Sequence, residues 1–159
     1  MSTFASLGIK KEFIESIKEL GISTPTEIQE KGIPILLNNR TDFVGLAQTG
    51  TGKTATFGLP IVQQIDPANT AVQALILSPT RELVQQIKKQ LFKYTKYYDQ
   101  KVFVEAVYGG EKIDRQINNL QRTTHIIVAT PGRLIDLIER GNINLKEIKT
   151  LVLDEADEM

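Results

Sequence analysis

Between Asp42 and Thr54 a short apolar run, Phe43-Val44-Gly45-Leu46, enters a turn built from Gly50, Thr51 and Gly52. It leaves through Lys53-Thr54 into a segment that can continue as a helix to Ile65. A strand passing through a glycine turn into a helix reads as a phosphate cradle. Gly50 and Gly52 let backbone N–H groups converge on one anion without Cβ atoms in the way, and the helix start adds unpaired donors and the positive end of its dipole. Lys53 suits the outer phosphates as a point charge, and the Thr54 hydroxyl suits magnesium. The general pattern opens with Gly, whereas this chain has Ala47 there. The competing reading is a glycine-rich strand-to-helix turn with no ligand.

Downstream, short apolar runs alternate with amphipathic segments. The pattern predicts strands over Val72 to Leu77, Lys101 to Tyr108, His125 to Ala129 and Thr150 to Leu153, with helices over Thr80 to Tyr98, Glu111 to Leu120 and Leu134 to Glu139. Nearly continuous apolar strands separated by helices of this length call for a mainly parallel sheet covered on both faces, an α/β architecture. Right-handed crossovers then put every strand's carboxyl end on one edge, where open α/β sheets bind ligands.

Ahead of the cradle the chain predicts two helices. Phe13, Ile14, Ile17 and Leu20 recur at helical spacing and Gly21 stops that helix. Thr24-Pro25-Thr26-Glu27 predicts the next start, with Thr24 as cap, Pro25 at the first helical position and Glu27 completing a capping box. The chain has 159 residues, 41% of them hydrophobic, which suffices for one domain with a core. Lysine plus arginine equals aspartate plus glutamate at 19 each, so any grip on an anionic polymer must come from local sites. There is no cysteine, which excludes disulfides and thiolate metal sites. No apolar run approaches the length of a membrane span and no charged-then-apolar leader opens the chain, so the expected setting is cytoplasmic.

At the expected sheet edge one device recurs. Ser78-Pro79-Thr80-Arg81-Glu82 and Thr130-Pro131-Gly132-Arg133 each follow a strand with a hydroxyl, a proline and an arginine, and Gly109-Gly110 follows a third strand. Each alone is ordinary strand-to-helix capping. Three anion-friendly loops on one edge suit a row of phosphates, because they offer amides and guanidinium forks without a pocket for a base. The last strand, Leu151-Val152-Leu153, reads as buried and delivers Asp154-Glu155-Ala156-Asp157 at its tip. Asp154 is a candidate magnesium ligand and Glu155 a candidate base for an attacking water; the alternative is solvated carboxylates at a strand end. His125, the single histidine, reads as a structural residue, and Tyr94, Tyr97 and Tyr98 as cover for the core edge.

Asp154-Glu155-Ala156-Asp157 and the motifs before it, in this order, resemble the first RecA-like domain of a DEAD-box ATP-dependent RNA helicase, over Phe4 to Met159. The resemblance implies a RecA-like P-loop fold, with a helical Q-motif segment over residues 1–31 and the ATP-binding domain over 32–159. It implies that ATP with Mg2+ binds through Phe4 stacking on adenine, Thr24 and Gln29 of the Q motif, and Ala47, Gln48, Thr49, Gly50, Thr51, Gly52, Lys53 and Thr54 of motif I, where Ala at the first position is usual. Lys53, Asp154 and Glu155 take the catalytic roles, and Thr54 and Asp154 hold the metal. RNA is implied along Pro79, Thr80 and Arg81 of motif Ia, Gly109-Gly110, and Thr130, Pro131, Gly132 and Arg133 of motif Ib, through phosphates and sugars and with little sequence specificity.

The family continues with a Ser-Ala-Thr motif and a second RecA-like domain that completes the ATP site with arginines, and neither occurs in this sequence. In the family fold the strand leading to Ser-Ala-Thr lies between the cradle's strand and the strand ending at Asp154. The expectation is therefore that these residues belong to a longer chain and fold poorly alone. An arginine supplied to the transition state is worth about three to five orders of magnitude in related phosphoryl transfer, so they should also hydrolyse ATP very slowly alone. Two other classes compete: a different phosphate-loop enzyme, such as a DNA translocase or small-molecule kinase, and a non-catalytic ATP- and RNA-binding scaffold.

Overall fold

The structure, a computed structural model, describes residues 1–38, 41–48 and 50–159. Its elements in chain order are α1 (Lys11–Lys18), α2 (Glu27–Asn38), α3 (Lys53–Gln64), β1 (Ala74–Leu77), α4 (Arg81–Tyr94), β2 (Val104–Val107), α5 (Ile113–Leu120), β3 (Ile126–Ala129), α6 (Pro131–Glu139) and β4 (Thr150–Leu153), followed by a 3₁₀ turn over Ala156–Glu158. They form two compact units, residues 1–64 with 90–100 and residues 65–89 with 101–159.

The first unit is helical. Phe4, Leu7, Ile9, Phe13, Ile17, Ile33, Leu59, Val62, Leu91 and Tyr94 are among its buried apolar residues. α1 closes as its glycine signal predicts: Gly21 N–H donates to Lys18 O and Ile22 N–H to Ile17 O, both at 3.0 Å, which satisfies carbonyls at the helix end. α2 starts later than the capping box at Thr24 predicts. The helix opens at Glu27, and the reaching-back side chain is Gln29, whose Oε1 accepts from Thr26 N–H at 2.9 Å. Thr26 precedes the first helical residue, so the box partner three positions on is Gln29 and not Glu27. The Gln64 carboxamide at the end of α3 donates to Leu36 O and Leu37 O, both at 3.3 Å, and so serves the otherwise unpaired carbonyls at the end of α2. The aromatic end of the unit follows the expectation in part: Tyr94 is buried and the Phe13 and Tyr98 rings are 5.0 Å apart, whereas Tyr97 is exposed and donates its hydroxyl to Glu19.

The second unit holds the sheet. Its strand order is β2-β3-β1-β4 and every pairing is parallel. β3 is buried at all four residues, as a strand covered on both faces must be. One core cluster joins Leu75, Val107, Ile127 and Ala129 of the sheet to Leu134 and Leu137 of α6 and to Ile143. The expected α/β class is thus observed, with its strand and helix order.

Two strand expectations need correction. Residues 42–48 carry no strand assignment, and Val44 and Leu46 are 84% and 93% exposed. Their apolar, β-prone composition is real, but a strand exists only where a neighbour completes its ladder, and no described residue does so here. β4 is a strand but not a buried one: among the described residues it pairs with β1 alone, and Leu151 and Leu153 are 57% and 53% exposed. An edge position leaves half its backbone groups and one side-chain face uncovered.

His125 is fully buried at the start of β3, and its Nδ1 accepts from Phe103 N–H at 3.0 Å. Desolvation lowers its pKa from the ordinary 6.5, against the opposing pull of the Pro67 and Asn69 backbone and the Asp66 carboxylate. A base whose folded pKa is depressed binds fewer protons in the native state than in the unfolded one. Stability is therefore complete above pH 6.5 and declines as pH falls below that value toward the folded pKa. Protonation would also destroy the Nδ1 acceptor. The carboxylates with lowered pKa, Glu19, Glu27 and Glu82, act only below their ordinary 4.5. Urea midpoints are expected to fall between about pH 7 and about pH 5.5, and His125→Asn should flatten that slope. A wild-type midpoint constant over this interval would contradict the assignment.

Candidate functional site

In the first unit the glycine turn leads into α3, which begins at Lys53, so Lys53 and Thr54 occupy its first turn and both are half-buried. Gly50 and Gly52 have φ of 82° and 85°, the left-handed region that a side chain resists. The turn is tied from one side. Thr26 Oγ1 donates to Thr51 O at 2.8 Å, Gln29 Nε2 to Gly52 O at 3.1 Å and Thr56 Oγ1 to Gly52 O at 2.9 Å. In a trans peptide the C=O and the following N–H point in opposite directions, so the N–H groups of Gly52 and Lys53 are turned away from those side chains, as a cradle requires. A Cβ at Gly52 would stand 2.3 Å from Gln29 Nε2. Glycine is thus required there by contact as well as by conformation.

The other residues assigned to this site have different settings. Gln29 is 2% exposed with both ends of its carboxamide engaged, Oε1 on Thr26 and Nε2 on Gly52. Phe4 is 3% exposed, a core position like that of a hydrophobic staple. Thr24 and Gln48 are exposed and Ala47 is half-buried, while Thr51 Oγ1 donates to Gln48 O at 2.6 Å. Thr49 lies outside the described residues.

In the second unit the carboxyl ends of all four strands form one rim. Across it the loops follow the strand order: Gly109-Gly110 after β2, Thr130 to Arg133 after β3, Ser78 to Arg81 after β1, and Asp154-Glu155 after β4. Adjacent strands are about 4.8 Å apart, so the four loops span about 14 Å. Single bonds extend the ladder past the strands: Thr130 N–H to Val107 O at 2.9 Å, Ser78 N–H to Ala129 O at 3.0 Å and Asp154 N–H to Leu77 O at 2.9 Å.

The two hydroxyl-proline loops differ. Thr80 Oγ1 accepts from Leu83 N–H at 3.2 Å, the capping role that the simpler reading predicts, which leaves its hydroxyl proton to donate. Thr130 opens α6 without a side-chain cap, and Pro131 takes the first helical position. Arg81 is exposed and donates from Nε to Glu82 Oε1 at 3.0 Å. Gly110 has φ of 86°, and a Cβ there would lie 3.2 Å from Arg81 Nη1, which brings the β1 and β2 loops together. Arg133 is half-buried and donates from Nη1 to Glu111 O at 3.1 Å and to Gln116 Oε1 at 3.0 Å. Ser78 Oγ is buried at this rim with no hydrogen-bond partner among the described residues.

Asp154 and Glu155 are half-buried at the end of β4. Glu155, with φ 52° and ψ 47°, is the one described non-glycine residue in the left-handed region. Among the described residues no cluster of three or more His, Asp or Glu forms.

Sequence reasoning missed Thr26 and Gln116. Thr26 was legible, since Thr-x-x-Gln before an apolar run is a capping-box signature. Gln116 sits on the apolar stripe of Ile113, Ile117 and Leu120, and a polar residue in such a stripe signals a buried polar contact.

A family model described as DEAD/DEAH box helicase matches residues 26–159. The chain is 49% identical over 159 residues to the DEAD-box ATP-dependent RNA helicase CshA of Geobacillus kaustophilus, covering 100% of this chain and 33% of that protein. It is 47% identical over 158 residues to the ATP-dependent RNA helicase DeaD of Escherichia coli, covering 99% of this chain and 25% of that protein. The chain thus spans a third or less of the length of these relatives. Among solved structures, a DEAD box protein from Methanococcus jannaschii superposes with a TM-score of 0.92 at 39% identity, over 99% of this chain and 42% of that one. Dbp5 of S. cerevisiae bound to RNA and ADP BeF3 gives 0.87 at 34% identity, over 100% of this chain and 39% of that one. The match over residues 26–159 includes Lys53-Thr54 and Asp154-Glu155-Ala156-Asp157, and the chain belongs to the DEAD/DEAH box helicase family.

Proposed function

We propose that this chain is the ATP- and RNA-binding part of an ATP-dependent RNA helicase, with ATP hydrolysis coupled to local opening of RNA duplexes or remodelling of RNA–protein complexes. The observation that supports it most is the rim of the second unit, which carries Arg81, Gly110, Arg133 and Asp154-Glu155 in one row inside a family-matched sequence. The chain's relatives are named ATP-dependent RNA helicases, and Dbp5 was solved with RNA and ADP BeF3.

The residue roles follow from chemistry. The outward N–H groups of Gly52 and Lys53 and the Lys53 ammonium suit the nucleotide's phosphates. Thr54 and Asp154 would each offer an oxygen to Mg2+, which would supply positive charge against the negative charge developing on the phosphates. Glu155 orients and deprotonates the attacking water. Gln29 spends one Nε2 proton on Gly52 O and one Oε1 lone pair on Thr26 N–H, so an adenine edge read by its remaining donor and acceptor couples nucleotide recognition to the shape of the turn through one carboxamide. Phe4, buried as it is, has support for an adenine platform from the resemblance alone. RNA phosphates fall to the loops of Pro79, Thr80 and Arg81, of Gly109-Gly110 and of Thr130 to Arg133. The boundary between a Q-motif segment over 1–31 and an ATP-binding domain over 32–159, and a second RecA-like domain as intramolecular partner, are parts of the same proposal. A cytoplasmic setting is part of the same proposal; no described helix is long and apolar enough to cross a membrane.

The test is steady-state ATP hydrolysis by the protein expressed from its complete natural reading frame. Turnover is expected to rise with single-stranded RNA and not with DNA, and Lys53→Ala should raise the KM for ATP and abolish the stimulation. Equal stimulation by DNA would favour a translocase, and RNA binding without turnover would favour a scaffold.

A further inference from the structure

Behind the rim, one side chain connects two of its loops. Gln116 of α5 is 3% exposed, and three hydrogen bonds engage both ends of its carboxamide. Nε2 donates to Tyr108 O at 2.9 Å and to Glu111 Oε2 at 3.3 Å, while Oε1 accepts from Arg133 Nη1 at 3.0 Å. The same Arg133 nitrogen donates to Glu111 O at 3.1 Å. Tyr108 and Glu111 flank Gly109-Gly110, so a single amide holds both ends of the glycine turn and the guanidinium from the next loop. Both Nη1 protons are committed to these bonds, so any phosphate contact by Arg133 falls to Nη2 and Nε.

We propose that Gln116 is a positioning residue for the RNA-binding rim, its buried carboxamide fixing the Gly109–Glu111 turn and the Arg133 guanidinium in the arrangement that receives a sugar-phosphate strand. This rests on the reading of the rim as the RNA site. An amide is suited to the task because it donates and accepts from one rigid plane. Glutamate would set acceptors against Tyr108 O and the Glu111 carboxylate, and methionine offers neither donor nor comparable acceptor. The described hydrogen bonds of Gln116 all go to Tyr108, Glu111 and Arg133, residues of the rim's own loops.

The experiment compares wild type with Gln116→Met in the protein expressed from its complete natural reading frame, titrating single-stranded RNA and ATP separately. The variant is expected to raise the RNA concentration for half-maximal stimulation by about five- to twentyfold, with the KM for ATP and the RNA-free rate unchanged. Combining it with Arg133→Ala should weaken RNA no further than the larger single effect, because the two side chains act as one unit. A merely structural role would shift the ATP and RNA parameters together. If Gln116→Met loses its cooperative melt, Gln116→Glu is measured instead, with the same two outcomes. Wild-type RNA dependence in the folded variant overturns the proposal. Absence of RNA stimulation in the wild type overturns instead the reading on which it rests.

Discussion

Glu155→Gln is expected to lower ATP turnover by about two to four orders of magnitude, the usual worth of a positioned general base, while ATP still binds. Glutamine keeps the size and reach of the side chain but removes its negative charge and with it the capacity to take a proton. The backbone gives this prediction a companion. At φ 52° Glu155 occupies a conformation that costs an ordinary L-residue about 1–2 kcal/mol. Glycine relieves that strain but adds freedom to the unfolded chain, so Glu155→Gly should be more stable than Glu155→Gln by about 0.5–1 kcal/mol and equally inactive. Fluorescent-nucleotide binding, steady-state hydrolysis and urea unfolding on the two variants separate these effects. Turnover by Glu155→Gln within a factor of about three of wild type would remove Glu155 from the chemistry. If glycine brings no gain, the strain is offset by contacts that either side chain makes.

Why this pair was legible from sequence is instructive. Leu151-Val152-Leu153 before Asp154-Glu155 fixes a strand end, and a parallel sheet sends every strand end to one rim, so topology alone gathered Arg81, Gly110, Arg133 and Glu155. β4 was located to the residue because Thr150 to Leu153 is a short β-prone run with polar boundaries. Side-chain bookkeeping was not legible. Nothing in the pattern states that Gln29 spends its amide on Gly52 O, or that Arg133 is held by Gln116, because each is a choice among partners that only packing decides. Phe4 illustrates the same limit: a short apolar residue before a turn serves a core or a ligand equally well, and here it is in the core. Strand assignment failed where it depended on a neighbour. Residues 42–48 have the composition of a strand and lack the ladder.

That failure leads to the second large effect, self-association of the 159-residue chain expressed alone. In register, Leu151 lies beside Leu75 and Leu153 beside Leu77, and Leu75 belongs to the core cluster that Leu134 and Leu137 of α6 cover. The helical cover stops short of β4, which leaves two half-exposed leucines at a sheet edge where no described strand pairs. Burying a whole leucine side chain stabilises by about 1.5–3 kcal/mol, so two of them with an open ladder favour pairing between copies, edge to edge. Val44 and Leu46, at 84% and 93% exposure, add apolar surface in the other unit. Light scattering is expected to give a mass that rises above 17.8 kDa with concentration. The double substitution Leu151→Lys and Leu153→Lys should return it to the monomer value, because charge on an edge strand opposes a second copy. The register predicts that Val152→Thr, on the opposite face of β4, will not. A chain that stays monomeric at high concentration and unfolds cooperatively with about 5–15 kcal/mol would mean that the open edge of β4 is harmless and that the fold needs no further strand there.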